Sequence, residues 1–165
     1  MIHKGEEIKN FDSDEFLVGE LQFVGIEIIQ AVDKFRDLSG VPIYPSIAPG
    51  ALARIDNNVT NQHHARSDGS VLSKAMDWFP GRGESITRLL MLALGSGLFG
   101  GIGVYFDTNG FVHSSKNMFH TDVRPKENGI PILWYRVGGS YFYPFSDKMR
   151  INTFMSLLRR ADENL

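Results

Sequence analysis

Two imidazoles and one carboxylate occur in this sequence in short motifs that suit a metal site. A histidine pair stands at His63 and His64, an aspartate follows at Asp77, and a further histidine is His120. Because the chain has no cysteine, any metal must be held by nitrogen and oxygen ligands. Three such ligands can hold zinc and leave a fourth position open to water. The residue types therefore predict a hydrolytic enzyme with zinc as its cofactor.

The order of these motifs resembles the zinc D-Ala-D-Ala carboxypeptidase and L-Ala-D-Glu endopeptidase family, which shares its fold with the hedgehog signalling domain. Members of that family read S-x-H-x-x-G-x-A-x-D, followed by a later histidine element that is often H-x-D in phage-type members. Here Asn61-Gln62-His63 is similar to the first part, Ala75-Met76-Asp77 to the second and His120-Thr121-Asp122 to the third. The resemblance covers most of residues 14–145 and implies that the first two segments each end on a zinc ligand and the third begins with one.

Each histidine ligand has a neighbouring alternative in the sequence. His63 matches the family motif directly, and His64 stands beside it. His113 competes with His120, because residues 111–113 also resemble the last strand of the family. We favour His120, because Asp122 follows it and metal-bound histidines commonly need a carboxylate partner. The spacing before the aspartate exceeds that of the motif, which predicts an insertion at about residues 65–72.

The proton acceptor for hydrolysis is left open by the sequence. Many family members place a carboxylate three residues before the last histidine, where this chain has Asn117. Zinc lowers the pKa of a bound water to about 7, but a general base must still accept the proton. Asp122 and His113 are the main candidates, and His64 is a further titratable neighbour. Asp122 can equally orient His120 as its hydrogen-bond partner.

The family resemblance implies a bacterial cell-wall peptide as substrate, and arginine is the residue type suited to bind it. A cell-wall stem peptide presents carboxylates, which a planar guanidinium can bind at two points. The arginine segment of the family is not recognisable here, and Arg54 is the candidate to replace it. Arg124 is a second candidate and is equally suited to a structural ion pair.

The charge and hydropathy of the chain exclude other classes of partner. Lys and Arg total 17 against 19 Asp and Glu, so no basic field would attract a nucleic-acid backbone. Residues 1–7 lack the build of a classical signal peptide, and no apolar run reaches the roughly 18 residues of a membrane helix. We expect neither a nucleic-acid partner nor a membrane span.

Apolar periodicity predicts the elements that must position these residues. A helix is expected over residues 14–38, with a capping box at Asp12 and Glu15 and a stop at Ser39-Gly40. Further helices are expected at residues 85–94 and 151–160. Strands are expected at residues 41–44, 102–106, 118–123, 132–137 and 141–143, with residues 111–113 as a hairpin partner after a turn at 107–110. This order predicts one α+β domain, residues 1–165, with an antiparallel sheet and packed helices.

The resemblance implies a zinc-dependent peptidase that cleaves peptidoglycan peptides. The similarity of residues 120–124 to phage-encoded members implies an endolysin or virion-associated protein, located in the virion or the host cytoplasm and in contact with other virion proteins. The alternative is a non-catalytic phage structural or cell-wall-binding module of the same fold. Asn117 and the missing arginine segment favour that alternative.

Overall fold

A computed structural model describes residues 1–110 and 113–165 of the chain. Short 3-10 turns at Ser13–Glu15, Leu21–Phe23 and Pro144–Ser146 accompany the helices and strands. The helices are α1 (Ile26–Ser39), α2 (Ile86–Ser96) and α3 (Lys148–Glu163). The strands are β1 (Ile2–His3), β2 (Glu6–Glu7), β3 (Ile43–Pro45), β4 (Arg54–Ile55), β5 (His64–Ala65), β6 (Ala75–Pro80), β7 (Gly101–Tyr105), β8 (Met118–Asp122), β9 (Ile132–Val137) and β10 (Ser140–Phe142).

A six-stranded sheet organises the molecule, in the order β10-β9-β7-β8-β6-β3. Strands β7 and β9 are parallel, whereas the other neighbouring pairs are antiparallel. The α+β class is therefore confirmed, but the prediction of a purely antiparallel sheet is wrong. The chain reverses after β8, which is antiparallel to β7, and then pairs along the opposite edge of β7. A strand added in that way must run parallel to β7.

The helices pack on one face of this sheet and leave the other face for the site. Phe35 of α1 lies 5.7 Å from the ring of Trp78 on β6, and Trp78 stacks on Phe119 of β8 at 4.7 Å, both measured between ring centroids. These three side chains are fully buried. Because successive residues of a strand point to opposite faces, Asp77 and His120 point away from α1.

Helix α1 begins later than its apolar pattern predicts. Gly19 has a φ of +88°, and the backbone N–H of Gly25 donates to the carbonyl of Ser73 at 2.8 Å. This extended pairing with a distant segment replaces the first turns of the expected helix. The predicted capping box does form, although on the 3-10 turn Ser13–Glu15. The predicted stop is confirmed, because Gly40 follows the helix with a φ of 68°.

The other predicted helices and strands, apart from the hairpin partner at residues 111–113, each overlap an observed element, whereas β1, β2, β4 and β5 were not predicted. Strand β6 was not predicted, because every one of its positions is buried and no alternation marks it. Strand β7 pairs with β8 and β9. The predicted hairpin partner includes Phe111 and Val112, which lie outside the described residues. None of the described helices is long and apolar enough to span a membrane.

Candidate metal centre

Two central strands carry the aspartate and one histidine of the predicted ligand set. Asp77 lies in the middle of β6 and His120 in β8, and their Cα atoms are direct partners in the antiparallel pair. Such opposite residues place their side chains next to each other on one face of the sheet. His63 comes from the loop just before β5 and completes the cluster.

The predicted insertion folds back on itself and so leaves the ligands adjacent. Within residues 65–72, the N–H of Arg66 donates to the carbonyl of Val71 at 3.0 Å, which closes a tight loop. The N–H of Lys74 then donates to the carbonyl of Gln62 at 2.8 Å. The chain therefore returns to its starting point before β6 begins, and the extra residues do not separate the histidine from the aspartate.

Three ligand atoms converge on one point. Nε2 of His63 lies 3.0 Å from Nδ1 of His120 and 3.3 Å from Oδ1 of Asp77, and the last two atoms are 2.9 Å apart. A tetrahedral zinc with bonds of about 2.0 to 2.1 Å has ligand atoms roughly 3.3 Å apart. The three atoms therefore form a triangle close to one face of a zinc tetrahedron, and this triad could hold a metal ion.

The outer nitrogen of each histidine has its own partner. Nδ1 of His63 faces the carbonyl oxygen of Leu52 at 3.4 Å, and Nε2 of His120 faces Oδ2 of Asp122 at 3.2 Å. With an N–H on each of those atoms, the two inner nitrogens would direct lone pairs at the triad. Two lone pairs and a carboxylate oxygen would then stabilise a bound cation, which supports the metal-site interpretation.

Asp122, the hydrogen-bond partner of His120, is itself held in place by Arg124. Asp122 is fully buried and accepts hydrogen bonds from Nε of Arg124 at 2.8 Å and from Nη2 of the same residue at 2.5 Å. Gly101, its cross-strand partner, leaves space for it, because a Cβ there would lie 2.8 Å from Cγ of Asp122. Arg124 therefore stabilises the histidine orientation through Asp122, which is the structural ion-pair role left open by the sequence.

The charges of the site set its protonation. Burial alone would raise the pKa of Asp77, but the charge of His63 and hydrogen bonds from both histidines outweigh it and hold that pKa well below its usual range. Burial raises the pKa of Asp122 as well, and hydrogen bonds from His120 and Arg124 lower it to about 2. Burial lowers the pKa of His120, whereas the two neighbouring carboxylates raise it more. Without a metal ion, the two carboxylates therefore favour a proton on His120.

The alternative ligands lie elsewhere. His64 is buried and its Nδ1 contacts Oδ1 of Asp56 at 3.1 Å, outside the triad. His113 is exposed, and its carbonyl oxygen accepts from the N–H of Arg82 beyond the end of β6. The structure thus brings His63 and not His64 to Asp77, and leaves His113 outside the site.

Asn117 also lies outside the site. It faces the helix side of the sheet, because it is offset by three residues from His120 in the strand direction, and its Nδ2 donates to Oγ of Ser115 at 3.4 Å. Together with Leu157 and Arg160 of α3 it lines a separate cavity. The position at which the family places a carboxylate is therefore not part of the cleft above the triad.

A cleft of about 450 Å³ opens above the triad. Arg54 and Arg124, both predicted as substrate contacts, are among its lining residues. Sequence reasoning missed five further side chains of the lining, which come from β7, β8, β9 and β10: Tyr105, Met118, Trp134, Arg136 and Tyr141.

Alternating glycines are the sequence signal that could have found these residues. Gly101 and Gly103 leave one face of β7 bare. A Cβ at Gly103 would lie 2.5 Å from Nε1 of Trp134, so the missing side chain is what allows the indole to cross β7. The ring of Trp134 then lies 5.0 Å from that of His120 between centroids. A glycine at every second position of a strand indicates that a neighbouring side chain covers that face.

Tyr105 contributes a neutral donor to the same cleft. Burial, and then the negative charge of Asp77, raise the pKa of its phenol. The hydroxyl therefore stays protonated at neutral pH and can donate a hydrogen bond to an oxygen in the cleft.

Comparisons of this chain with protein-family models, with curated proteins and with solved structures found no significant match.

Proposed function

We propose that this protein is a zinc-dependent peptidase that cleaves peptide bonds of peptidoglycan. The observation that carries the proposal is the convergence of His63, Asp77 and His120 at the floor of an open cleft, with a spacing that fits tetrahedral zinc. Two nitrogens and one oxygen leave a fourth position free, which is the pattern of catalytic rather than structural zinc sites. The peptidoglycan substrate comes from the resemblance of the three motifs to the peptidase family.

The residues around the triad have separable roles in this proposal. When bound, zinc supplies a Lewis acid that polarises an amide carbonyl and makes water acidic. Asp122 and Arg124 keep the His120 ring in its ligating orientation. Tyr105 presents a protonated hydroxyl that can bind the carbonyl oxygen of a substrate. Arg54 lines the same cleft and is available to bind a substrate carboxylate.

Among the described residues, none is well placed to accept the proton that hydrolysis releases. This observation favours a second candidate function. Both oxygens of Asp122 are held by Arg124, and His113 lies outside the cleft. Among the described residues that line the cleft, Asp77 is the one carboxylate. A module that binds metal and cell wall without hydrolysis, or a phage structural domain of the same kind, needs no general base. This second candidate keeps the same fold and the same triad.

The proposal also includes the biological source and location of the protein. The likeness of residues 120–124 to phage-encoded members supports an endolysin or a virion-associated protein. We propose the virion or the host cytoplasm as its location and other virion proteins as its partners.

Metal analysis and a digestion assay separate the two candidates. We expect one zinc per chain in the purified protein, and release of new amino groups from peptidoglycan that a chelator abolishes. His120→Ala should lose both zinc and activity, whereas His113→Ala should keep both, because His113 lies outside the cleft. Zinc without release of amino groups would favour the non-catalytic module. A chain that binds no zinc would contradict both candidates.

A further inference from the structure

Arg136 is held in a defined position on the wall of the metal cleft. It lies on β9, and its Cα partners are Tyr105 on β7 and Tyr141 on β10. Its guanidinium carbon lies 5.3 Å from the ring centroid of Tyr105 and 6.0 Å from that of Tyr141. The two tyrosine rings meet edge to face at 5.8 Å and support the arginine from below. Its side chain is therefore ordered before any ligand arrives.

Among the described residues, the guanidinium of Arg136 forms one long ion pair and no hydrogen bond. In the described part of the chain, the nearest carboxylate is Oδ1 of Asp107, at 3.6 Å from Nη1, which exceeds a hydrogen-bond distance. Asp107 is held in place by the N–H of Gly139, which donates to its Oδ2 at 2.8 Å. Arg124 differs, because two of its nitrogens are bound to Asp122. Arg136 thus keeps its planar set of donors for a ligand.

Arg136 stands beside the triad together with a second arginine. Both Arg54 and Arg136 line the metal cleft, and both also line an adjoining cleft of about 390 Å³. Asp77 is the one carboxylate that the described lining of each cleft contains. Two guanidinium groups at the junction of two clefts create a positive potential there, which Asp107 offsets only in part.

We infer that Arg136, supported by Tyr105 and Tyr141, is a specificity-determining residue that binds a carboxylate of the substrate next to the metal triad. The proposal rests on the proposed peptidase function and narrows its substrate to peptides with a free carboxylate near the scissile amide. The fork of donors in a guanidinium matches the two oxygens of a carboxylate, and a neutral carboxamide satisfies it only in part. Arg136 thereby orients the peptide across the cleft.

A matched pair of peptides tests this inference. The probes are the stem tetrapeptide L-Ala-γ-D-Glu-L-Lys-D-Ala and the same peptide with each carboxylate converted to a carboxamide. Titration of the zinc-loaded protein, followed by NMR, gives the affinity for each probe, and the same spectra reveal any cleavage. We expect the wild type to bind the carboxylate form about ten- to hundredfold more tightly, which is the effect of charge-assisted hydrogen bonds.

Three variants assign the preference to Arg136. Arg136→Gln should lose most of the preference, with the remainder due to Arg54, and Arg136→Lys should retain a larger part of it. Arg150→Gln is the matched control, because Arg150 also lies over an aromatic ring, that of Phe142 at 5.6 Å, but does not line the metal cleft. It should keep the full preference.

The outcomes separate this inference from the proposed function. An undiminished preference in a folded Arg136→Gln variant, or equal affinity of the wild type for both peptides, would overturn the role of Arg136. Binding with the expected preference but without cleavage would contradict the peptidase and leave the carboxylate subsite in place.

Discussion

In two histidines, His120 and His64, one ring nitrogen contacts an aspartate, but the other ring nitrogen has a different environment in each. Asp122 binds His120, whose other nitrogen points into the triad. Asp56 binds His64, whose other nitrogen is buried without a partner among the described residues. Only the first pair couples a carboxylate to a candidate metal ligand. The chain therefore contains an internal control for the effect of a carboxylate partner on metal affinity.

Asp122→Asn should weaken zinc binding by about ten- to hundredfold, because the amide supports the ligating orientation of His120 less well than the carboxylate does. Competition against a chromophoric zinc chelator at constant neutral pH measures this change. Asp56→Asn should leave the zinc affinity close to that of the wild type. Equal losses in the two variants would show that Asp122 has no special role at the metal.

At the scale of elements, strand β7 shapes the site because two of its residues, Gly101 and Gly103, have no side chain. Its glycines leave one face open to Asp122 from β8 and to Trp134 from β9. The opposite face carries Ile102 and Val104, which are fully buried toward the helices. One strand therefore serves the core with one set of alternate residues and the cleft with the other. A side chain added on the cleft face must displace a neighbour that lines the site.

Gly103→Ala should lower the free energy of unfolding by about 1 to 3 kcal/mol, because the new methyl group overlaps the indole of Trp134. Chemical denaturation measures the loss, and a shift in tryptophan fluorescence should report the displaced ring. Gly95→Ala in α2 is the control. No atom lies within 4 Å of its added Cβ, and alanine favours a helix interior, so this variant should be stabilised by up to about 1 kcal/mol. Equal effects of the two substitutions would contradict the close packing at Gly103.

At the scale of the whole molecule, the triad joins two parts of the fold. Asp77 and His120 belong to the central sheet, whereas His63 belongs to the loop that precedes β5. Any cation that binds all three ligands fixes this loop against the sheet in the folded state alone. The stability of the protein is therefore expected to depend on metal and pH together.

The contributions of the His120 proton and of zinc to the free energy of unfolding should change oppositely with pH. The pKa of His120 is raised above 6.5 in the folded state, so the stabilisation it brings is complete below pH 6.5 and is lost as pH rises through the folded-state pKa. Zinc competes with that proton, so its stabilisation grows over the same range. It should reach about 2.7 kcal/mol at a zinc concentration 100 times the Kd.

Denaturant unfolding across this pH range gives the free energy of unfolding in chelator and in zinc. The difference between the two values at each pH is the stabilisation by zinc. His120→Gln should remove the pH dependence that this histidine contributes in chelator and most of the zinc effect. A stabilisation by zinc that stays constant or falls as pH rises through this range would contradict the competition between proton and metal at the triad.

The sequence by itself determined the identity of the candidate ligands and, of the strands near them, β8, which carries His120. Local sequence patterns predicted the end of α1 at Gly40, the bounds of β9, and the histidine at His120 that is followed by a carboxylate. Only the tertiary structure decided that His63 rather than His64 reaches Asp77, and that His113 stays outside. It also decided the later start of α1 and the parallel pairing of β9 with β7. These outcomes depend on contacts between residues far apart in the chain, which local patterns of polarity and spacing do not contain.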